Sequence, residues 1–256
     1  MLNFAIETAR EAGQILLEKF GRKIEISKKA DINLVTEADL ASEKFIIEKI
    51  RSYYPKHSIL AEESGESNIA VIEGESLWKW IIDPLDGTTN FAHGYPCFCV
   101  TLAVEHNGEI VIGITFDPTR NEMFAAEKGK GATLNNRKIS VSETEKLSES
   151  LLVTGFPYNF KEREDFAAHL TEFLLKSRGI RRDGSAAIDM AYVACGRFDG
   201  FWEEGLNPWD VAAGVLLIEE AGGRVTYYDD SKLSIYAPPI CGSNGLIHAE
   251  MLEVLK

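Results

Sequence analysis

Apolar residues recur at helical spacing near the start of the chain. Over residues 2–20 they fall three or four positions apart, which places them on one face of an α-helix. These positions are Leu2, Ala5, Ile6, Ala9, Ala12, Gly13, Leu16 and Phe20. Gly21 follows as a helix stop. A second helix with one apolar face is predicted over residues 37–53, and strands are predicted over residues 58–61 and 78–82.

The middle of the chain alternates apolar and polar residues, which is the period of a β-strand with one buried face. The segment 98–117, FCVTLAVEHNGEIVIGITFD, alternates on both sides of Asn107-Gly108. This dipeptide tolerates the positive φ angles of a type I′ turn, so the segment predicts a two-residue hairpin. A further hairpin is predicted over residues 122–139.

The second half of the chain alternates helical and strand patterns. Helices are predicted over residues 162–176, 186–195, 209–221 and 247–255. Strands are predicted between the first two helices, over residues 198–202 and 224–228, and near Ile240. An antiparallel part followed by α/β alternation indicates a layered sandwich of helices and sheets. We therefore predict two parts, 1–146 and 147–256, that form one compact unit without a linker.

The composition is that of an ordinary globular protein, with 45% hydrophobic and 26% charged residues among 256. The formal net charge of −13 argues against direct binding to nucleic acid or to anionic lipid. The first twenty residues lack the apolar core of a signal peptide, and no apolar run is long enough to span a bilayer, so the expected location is the cytoplasm. Cys97 and Cys99, in an apolar strand, are expected to be buried free thiols.

Two aspartates lie close together in the segment 81–91, IIDPLDGTTNF. Asp83 and Asp86 are three residues apart, and Pro84 favours an extended conformation at Asp83 while fixing its own φ angle. We expect the chain to turn here, so that both side chains point into the same space. An ordinary turn is the simpler interpretation, because Asp, Pro and Gly are favoured turn residues. That interpretation does not explain the acids at the ends of other elements.

Further acids lie where other predicted elements begin or end. Asp39 and Asp210 each stand three residues after a capping side chain, in the patterns T-x-x-D and N-x-x-D, and both are typical of helix N-termini. Glu62 and Glu63 follow a predicted strand, where a solvated pair is the simpler interpretation. Each acid has an ordinary explanation by itself. Their recurrence at element ends favours a common site.

Carboxylates that converge need compensation for their repulsion. Two of them about 4 Å apart repel by about 4 kcal/mol at an effective dielectric of about 20, so they need raised pKa values or bound divalent cations. Oxygen ligands select hard ions, which predicts Mg²⁺ rather than zinc. If a helix starts at Gly87-Thr88-Thr89, its free N–H groups form an anion site. Metal ions beside an anion site are typical of phosphoryl transfer to water.

The same segments together resemble a known family. The motifs are LVTEAD at 34–39, AEES at 61–64, IIDPLDGTTNF at 81–91, RDGSAA at 182–187 and WDVAAG at 209–214. They resemble the inositol monophosphatase family, which belongs to the lithium-sensitive, Mg²⁺-dependent phosphatases together with the fructose-1,6-bisphosphatases. The resemblance covers nearly the whole chain in the right order. It implies an α+β fold, a layered α-β-α-β-α sandwich. One small departure is Ala61, where many members have Gly.

The resemblance implies two Mg²⁺ ions and a weaker third ion near Glu62. Glu62, Asp83 and the backbone carbonyl of Leu85 are implied to hold the first ion. Asp83, Asp86 and Asp210 are implied to hold the second, so that Asp83 bridges the two.

The resemblance also implies the catalytic and substrate-binding residues. Thr88, paired with Asp39, is implied to orient and help deprotonate the attacking water, with Glu62 as a further catalytic residue. The backbone amides of Gly87 and Thr88 are implied to receive the phosphate. The substrate hydroxyls are implied to contact Asp86, Ala186 through its N–H, Glu203 and Asp210.

The expected reaction is the hydrolysis of inositol 1-phosphate, a small phosphorylated polyol, to inositol and phosphate. Arg181 and Arg182 precede Gly184-Ser185-Ala186 in a pattern that resembles members also acting on fructose 1,6-bisphosphate. One alternative is therefore a dual phosphatase in which these basic residues, Arg181 and Arg182, bind the second phosphate of a sugar. A solvated basic pair explains the two arginines equally well. A nucleotide 3′-phosphatase is a further alternative.

Other interpretations belong to different classes of function. Bacterial members of the family can bind the machinery of transcription or ribosomal RNA processing as structural partners, so a role in binding a protein partner stays open. A globule whose acids serve only as caps and turns is the simplest alternative. Because the family usually forms dimers, we expect a homodimer or a higher homo-oligomer.

Overall fold

The computed structural model describes residues 1–22, 26–28, 34–67, 77–156, 163–236 and 239–256. Within these ranges, helices lie in three layers that are separated by two large sheets. The helices are α1 (Leu2–Lys19), α2 (Glu37–Tyr53), α3 (Thr88–Ala92), α4 (Arg163–Lys176), α5 (Ala186–Ala194), α6 (Pro208–Glu220) and α7 (His248–Val254).

The first half of the chain supplies a short strand pair and the larger sheet. Its strands are β1 (Ile26–Lys28), β2 (Leu34–Thr36), β3 (Ser58–Ala61), β4 (Gly65–Ser67), β5 (Trp78–Asp86), β6 (Cys99–His106), β7 (Glu109–Asp117), β8 (Glu122–Glu127), β9 (Gly131–Leu134) and β10 (Arg137–Lys138). β1 and β2 pair with each other. Among the described residues, eight strands form one sheet in the order β10-β9-β8-β7-β6-β5-β3-β4. Neighbours in it are antiparallel except β3 and β5.

The second half supplies the smaller sheet. Its strands are β11 (Leu151–Thr154), β12 (Gly179–Arg181), β13 (Gly200–Glu203), β14 (Arg224–Thr226) and β15 (Ile240–Ser243). In the described part of the chain these five strands are ordered β12-β11-β13-β15-β14. β11 pairs in parallel with β12 and β13, and β15 is antiparallel to its neighbours. The boundary between the two predicted parts near residue 146 stays a prediction.

Neighbouring residues in the smaller sheet enter different parts of the core. Val153 and Phe201 pack with apolar residues of α5 and α6, whereas Leu152 and Trp202 pack with residues of α4 and α7. Because successive side chains of a strand point to opposite faces, this sheet lies between the two helix pairs. All nine residues of α5 are buried, as expected for a helix with apolar residues on all sides.

The larger sheet is covered on both faces in the same way. Trp80 and Ile82 of β5 pack with α1 and α2, whereas Ile81 packs against Ala212 and Ala213 of α6. The layers therefore run α1 and α2, larger sheet, α5 and α6, smaller sheet, α4 and α7. The predicted α-β-α-β-α sandwich is confirmed. The middle layer of helices contacts both sheets, so side chains from both halves of the chain can meet there.

Most of the predicted elements occur where their patterns place them. Each of the six predicted helices begins and ends within one residue of its predicted limits. The hairpin at Asn107-Gly108 is confirmed: both residues have positive φ, 52° and 81°, and His106 pairs with Glu109. The prediction of one hairpin over residues 122–139 is incomplete, because β8, β9 and β10 form three successive antiparallel strands.

Cys97 and Cys99 are buried and free, as predicted. No helix in the described ranges is long and apolar enough to cross a membrane.

A close contact between β7 and α6 gives a test of this packing. A Cβ atom at Gly113 would lie 2.8 Å from the carbonyl oxygen of Ala213, whereas a Cβ atom at Gly179 would meet no atom nearer than 3.6 Å. We expect Gly113→Ala to destabilise the protein by about 1–3 kcal/mol and to lower its Tm by about 3–10 °C, because the backbone of α6 must move. Gly179→Ala, the matched control, should change stability by less than about 0.5 kcal/mol. Thermal unfolding followed by circular dichroism measures both, and equal Tm values for the two variants would contradict the close contact.

Candidate active site

A bulge in β5 puts two aspartates on the same face of the larger sheet. Asp83 pairs with Thr101 and Asp86 pairs with Cys99, so three steps along β5 correspond to two steps along β6. Residues three apart on a regular strand point to opposite faces, and the extra residue of a bulge restores them to one face. Pro84 lies within the bulge, where the missing N–H does not break the ladder. The predicted tight turn at this position is wrong: the strand continues through Asp86.

Side chains of α2 contact both the bulge of β5 and the segment that follows β3. Ser42 Oγ donates to the carbonyl oxygen of Pro84 at 2.9 Å, and Glu43 Oε2 accepts from the backbone N–H of Glu63 at 2.9 Å. Within the bulge, Asp83 Oδ1 accepts from the N–H of Leu85 at 2.9 Å. Helix α2 therefore fixes the position of the acids that follow β3 and of the acids that end β5.

Asp39 caps α2 with one carboxylate oxygen and reaches towards the bulge with the other. Its Oδ2 accepts from the backbone N–H of Thr36 at 2.8 Å and from the Thr36 hydroxyl at 2.6 Å, which completes a capping box. Its Oδ1 accepts from Thr88 Oγ1 at 3.0 Å. Asp39 is 0% exposed. The predicted N-cap is present, and the same carboxylate also contacts Thr88.

Two further helix starts approach the same place. Asp86 Oδ2 accepts from Ser185 Oγ and from the N–H of Ala187, both at 2.7 Å, at the start of α5. Asp210 Oδ2 accepts from the N–H of Asn207 at 2.6 Å in the capping box of α6. Each carboxylate is thus oriented by a donor that a different helix start provides.

These elements enclose a cavity of about 120 Å³. A single water occupies about 10–15 Å³ of such cavity volume, so the cavity has room for several waters or for one small ester. It is lined by Glu62, Asp83, Leu85, Asp86, Gly87, Thr88, Thr89, Gly155, Phe156, Arg182, Gly184, Ser185, Ala186, Asp189, Glu203, Glu204, Gly205, Leu206, Asn207, Trp209 and Asp210.

Gly87 makes the transition from β5 to α3 at the wall of this cavity. Its φ of 96° is favourable for glycine alone, and a Cβ atom here would lie 2.8 Å from the carbonyl oxygen of Cys97. The chain can therefore pass from the bulge directly into α3, which brings Thr88 and Thr89 to the cavity.

Burial is the first cause that raises the pKa values of the cavity's carboxyl groups. Burial and then the charges of Glu62, Asp86 and Asp210 raise the pKa of Asp83 well above its usual value. Burial, opposed by the hydrogen bonds that Asp86 accepts, raises the pKa of Asp86 to about 6. Burial and then the Asp86 charge raise the pKa of Asp210 to about 8. The acids therefore act on one another across the cavity, as expected for like charges in a confined space.

The donor set of the cavity fits a divalent cation of the Mg²⁺ class. Within the described residues, no group of three or more His, Cys, Asp or Glu side chains is already arranged to hold a metal ion. The acids nevertheless offer carboxylate oxygens, which are the ligands of hard cations. Asp83, Asp86 and Asp210 each use one oxygen to accept a backbone N–H. Such contacts orient metal ligands in proteins, and a cation would offset the repulsion that raises these pKa values.

Most of the residues predicted for the site line the cavity. Those that do so are Glu62, Asp83, Leu85, Asp86, Gly87, Thr88, Ala186, Glu203 and Asp210. Asp39 is one hydrogen bond away from it, behind Thr88. Arg181 is exposed, donates to the carbonyl oxygen of Ile180 and does not line the cavity. Arg182 lines it instead, with its guanidinium 4.8 Å from the ring centre of Phe156.

The cavity also contains residues that the sequence did not single out. Gly155 lies against Glu203 so closely that a Cβ atom would be 1.8 Å from Glu203 Oε1. Asp189 lines the cavity from the interior of α5. The available signal for Asp189 was a single acid in the apolar run AAIDMAYVA. Nothing in the local sequence points to Gly155, because its neighbour Glu203 comes from another strand.

The sequence and the fold of this chain have counterparts among known proteins. A sequence model described as the inositol monophosphatase family matches residues 1–256. The "Inositol-1-monophosphatase" of Synechocystis is 44% identical over 262 residues, which cover 99% of this chain and 88% of that protein. The "Nus factor SuhB" of Escherichia coli K12 is 44% identical over 260 residues, covering 100% of this chain and 96% of that protein. The structure of an inositol monophosphatase from Anabaena (Nostoc) has a TM-score of 0.89 at 47% identity, covering 99% and 94% of the two chains.

The raised pKa values predict how pH changes the stability of the protein in EDTA. Asp86 and Asp210 keep protons in the folded state up to about pH 6 and about pH 8, whereas unfolded carboxyls with the ordinary value of 3.8 have lost them. The folded state binds more protons in this range, so its stability falls as pH rises from about 5 to about 9. We expect the Tm to fall by at least about 5 °C.

Two variants and added Mg²⁺ sharpen this test by differential scanning fluorimetry. Asp210→Asn removes one of the two titrating groups, so its Tm should fall less above pH 7. Saturating Mg²⁺ should raise the Tm of the unmodified protein more at pH 9 than at pH 5, because a cation binds the ionised carboxylates. Glu253→Gln, an exposed position on α7, should behave like the unmodified protein. A Tm in EDTA that rises with pH would contradict the assigned repulsion.

Proposed function

The chain belongs to the inositol monophosphatase family, and we propose that it is an Mg²⁺-dependent phosphomonoesterase that hydrolyses inositol 1-phosphate to inositol and phosphate. The observation that carries the proposal is the meeting of Glu62, Asp83, Asp86 and Asp210 in one cavity with Thr88. Caps and turns alone do not require acids from three separate segments, namely the residue after β3, the end of β5 and the start of α6, to share a cavity. We further propose that it acts in the cytoplasm as a homodimer or higher homo-oligomer, as is usual for the family.

The proposed metal ligands are the oxygen donors of this cavity. Glu62, Asp83 and the Leu85 carbonyl would hold one Mg²⁺ ion, and Asp83, Asp86 and Asp210 would hold a second, with a weaker third ion near Glu62. Bound Mg²⁺ supplies positive charge for the phosphate group and lowers the pKa of nearby water. The bulge of β5 supports this assignment, because it turns Asp83 and Asp86 to the same side.

Thr88 and Asp39 are the proposed acceptors of the water's proton. Thr88 Oγ1 lies 3.0 Å from Asp39 Oδ1, so a hydroxyl that donates to Asp39 can accept from a water in the cavity. Burial, opposed by hydrogen bonds from Thr36 and Thr88, raises the pKa of Asp39, which makes it a stronger base. The water oxygen bonds to phosphorus as the ester P–O bond breaks. The water's proton passes through Thr88 to Asp39, and the leaving oxygen takes a proton from solvent.

The remaining contacts divide between the phosphate and the alcohol. The backbone N–H groups of Gly87 and Thr88, at the start of α3, are proposed to bind the phosphate, in the way that helix starts bind anions. The N–H of Ala186 and the carboxylates of Asp86, Glu203 and Asp210 are proposed to contact hydroxyls of the polyol. These groups line the same cavity, which supports their acting on one small molecule.

Arg182 gives a specific reason to keep the dual phosphatase as a second candidate. Its guanidinium lies at the cavity wall, packed against Phe156, where it could pair with the second phosphate of fructose 1,6-bisphosphate. Arg181, which the resemblance suggested for this role together with Arg182, donates to the carbonyl oxygen of Ile180 and does not line the cavity. A basic group at the wall supports the candidate without choosing between the two substrates.

Phosphate release from a panel of esters tests the proposed function. The panel contains inositol 1-phosphate, fructose 1,6-bisphosphate, a nucleoside 3′-phosphate and p-nitrophenyl phosphate, each with Mg²⁺ and with EDTA. We expect inositol 1-phosphate to have the highest kcat/KM, EDTA to abolish turnover, and Asp83→Asn to lower kcat at least about 100-fold, because the variant lacks a carboxylate that would hold the cations. Arg182→Ala should lower kcat/KM at least about 10-fold for the bisphosphate alone if that ester is also a substrate.

Glu253→Gln serves as the control for handling and folding in this panel. Full turnover in EDTA, or unchanged turnover by Asp83→Asn, would refute the metal-dependent reaction. A higher kcat/KM for another ester would change the assignment of the preferred substrate, while the proposed class of reaction would stand.

A second class of function is favoured by one of the relatives. The Escherichia coli protein that is 44% identical to this chain is named a Nus factor. We propose a protein-binding role in transcription or ribosomal RNA processing as the alternative of another class. The net charge of −13 favours a protein partner over direct contact with nucleic acid.

Binding to purified RNA polymerase from the organism that encodes this chain separates the two classes. If the alternative holds, the unmodified protein and Asp83→Asn should bind with Kd values within about threefold of each other, because the variant changes a buried side chain and leaves the surface intact. Biolayer interferometry with serum albumin as the control analyte measures this. No binding by either protein would count against the second role without affecting the first.

A further inference from the structure

Asp189 is a buried acid that the reaction described above does not use. It lies within α5, whose other residues are apolar or aromatic, and it is 1% exposed. Among the residues that the structure describes, neither of its carboxylate oxygens has a hydrogen-bond partner. The side chain nevertheless lines the cavity. Burying a carboxyl group without a partner is unfavourable for folding, so this position fits a group that meets a ligand.

The position of Asp189 along α5 directs it towards the reaction site. Its backbone N–H donates to the carbonyl oxygen of Ser185, one helical turn earlier. Ser185 Oγ in turn donates to Asp86. Asp189 is therefore joined through Ser185, the residue that precedes α5, to the proposed metal ligand Asp86.

Glu203 is a second buried acid that lines the cavity. It is 7% exposed, and its Oε2 also lacks a partner within the described part of the chain. Its carboxylate is held against Gly155, where any larger residue would collide with it. After burial, the Glu203 charge is the largest influence that raises the pKa of Asp189. Asp189 and Glu203 line the same cavity, and together they have three carboxylate oxygens without a hydrogen-bond partner among the described residues.

The unpartnered oxygens of Asp189 and Glu203 can bind only a part of the substrate that offers hydrogen-bond donors. A phosphate group would be repelled by two acids, whereas hydroxyl groups supply the missing donors. Arg182 is a basic residue that lines the cavity, and its side chain is exposed and packs on the ring of Phe156. Neutral hydroxyl donors fit the unpartnered oxygens better than a second anionic group does.

We propose that Asp189 is a specificity-determining residue that, together with Glu203, accepts hydrogen bonds from adjacent hydroxyl groups of the alcohol part of the substrate. The inference rests on the proposed phosphatase function and narrows it: the alcohol must carry free hydroxyls on the side away from the ester. An ester whose alcohol lacks them gains nothing from Asp189.

The test compares Asp189→Asn and Asp189→Ala on two esters in the presence of Mg²⁺. For inositol 1-phosphate, kcat/KM should fall at least about 10-fold in Asp189→Asn and further in Asp189→Ala, mainly through a higher KM, because binding to hydroxyls is lost in the ground state as well. For p-nitrophenyl phosphate, whose ring has no hydroxyl groups, kcat/KM should change less than about threefold. Glu253→Gln, at an exposed position on α7 and not at the cavity lining, is the matched control and should leave the ratio between the two esters unchanged.

Thermal unfolding in EDTA separates binding from folding. Both Asp189 variants should have Tm values equal to or above that of the unmodified protein, because an unpartnered buried carboxyl is removed. Equal losses of kcat/KM on both esters would refute the inference while leaving the proposed function intact. If the unmodified protein releases phosphate from neither ester, the proposed function fails, and the inference fails with it. A selective loss on the hydroxylated ester by well-folded variants is the supporting result.

Discussion

Repulsion between carboxyl groups that share one cavity is the constraint on which the rest of this structure depends. The bulge of β5 places Asp83 and Asp86 on one face, and α6 brings Asp210 to them from the other half of the chain. Hydrogen-bond donors at Leu85, at Ala187 and at the start of α6 fix these acids in place. Such crowding is unfavourable by itself. It persists because apolar residues of both sheets pack with the middle helices α5 and α6 and hold the elements together.

Capping and site formation are carried out by the same side chains. Asp39 caps α2 through one oxygen and contacts Thr88 through the other, and Asp210 caps α6 through Oδ2 while lining the cavity. A helix start is a favourable place for an acid because its free N–H groups stabilise negative charge. The acids of the site therefore also stabilise the helices that carry them. This stabilisation offsets part of the unfavourable free energy of bringing the acids together.

The lining of the cavity contains two different kinds of hydrogen-bonding group. The start of α3 offers backbone N–H donors beside Thr88, whereas Asp189 and Glu203 offer acceptors without donors. Under the proposed function, a phosphate ester of a polyol has the complementary division, with an anionic end and an end of hydroxyl donors. Asp189 and Glu203 would repel the phosphate and so exclude the reversed orientation of the substrate. The same acids would therefore contribute both to the affinity for the substrate and to its orientation.

The sequence by itself determined the features that depend on neighbours along the chain. Helical periodicity, the Asn107-Gly108 hairpin and the caps at Asp39 and Asp210 follow from residues a few positions apart, and the acids and motifs indicated the ion class and the family. Only the tertiary structure decided that β5 continues through a bulge, that Arg182 rather than Arg181 reaches the cavity, and that Asp189 faces it. These features depend on the register between strands and on how helices from distant segments pack. Such contacts join residues that are far apart in sequence, so no local pattern records them.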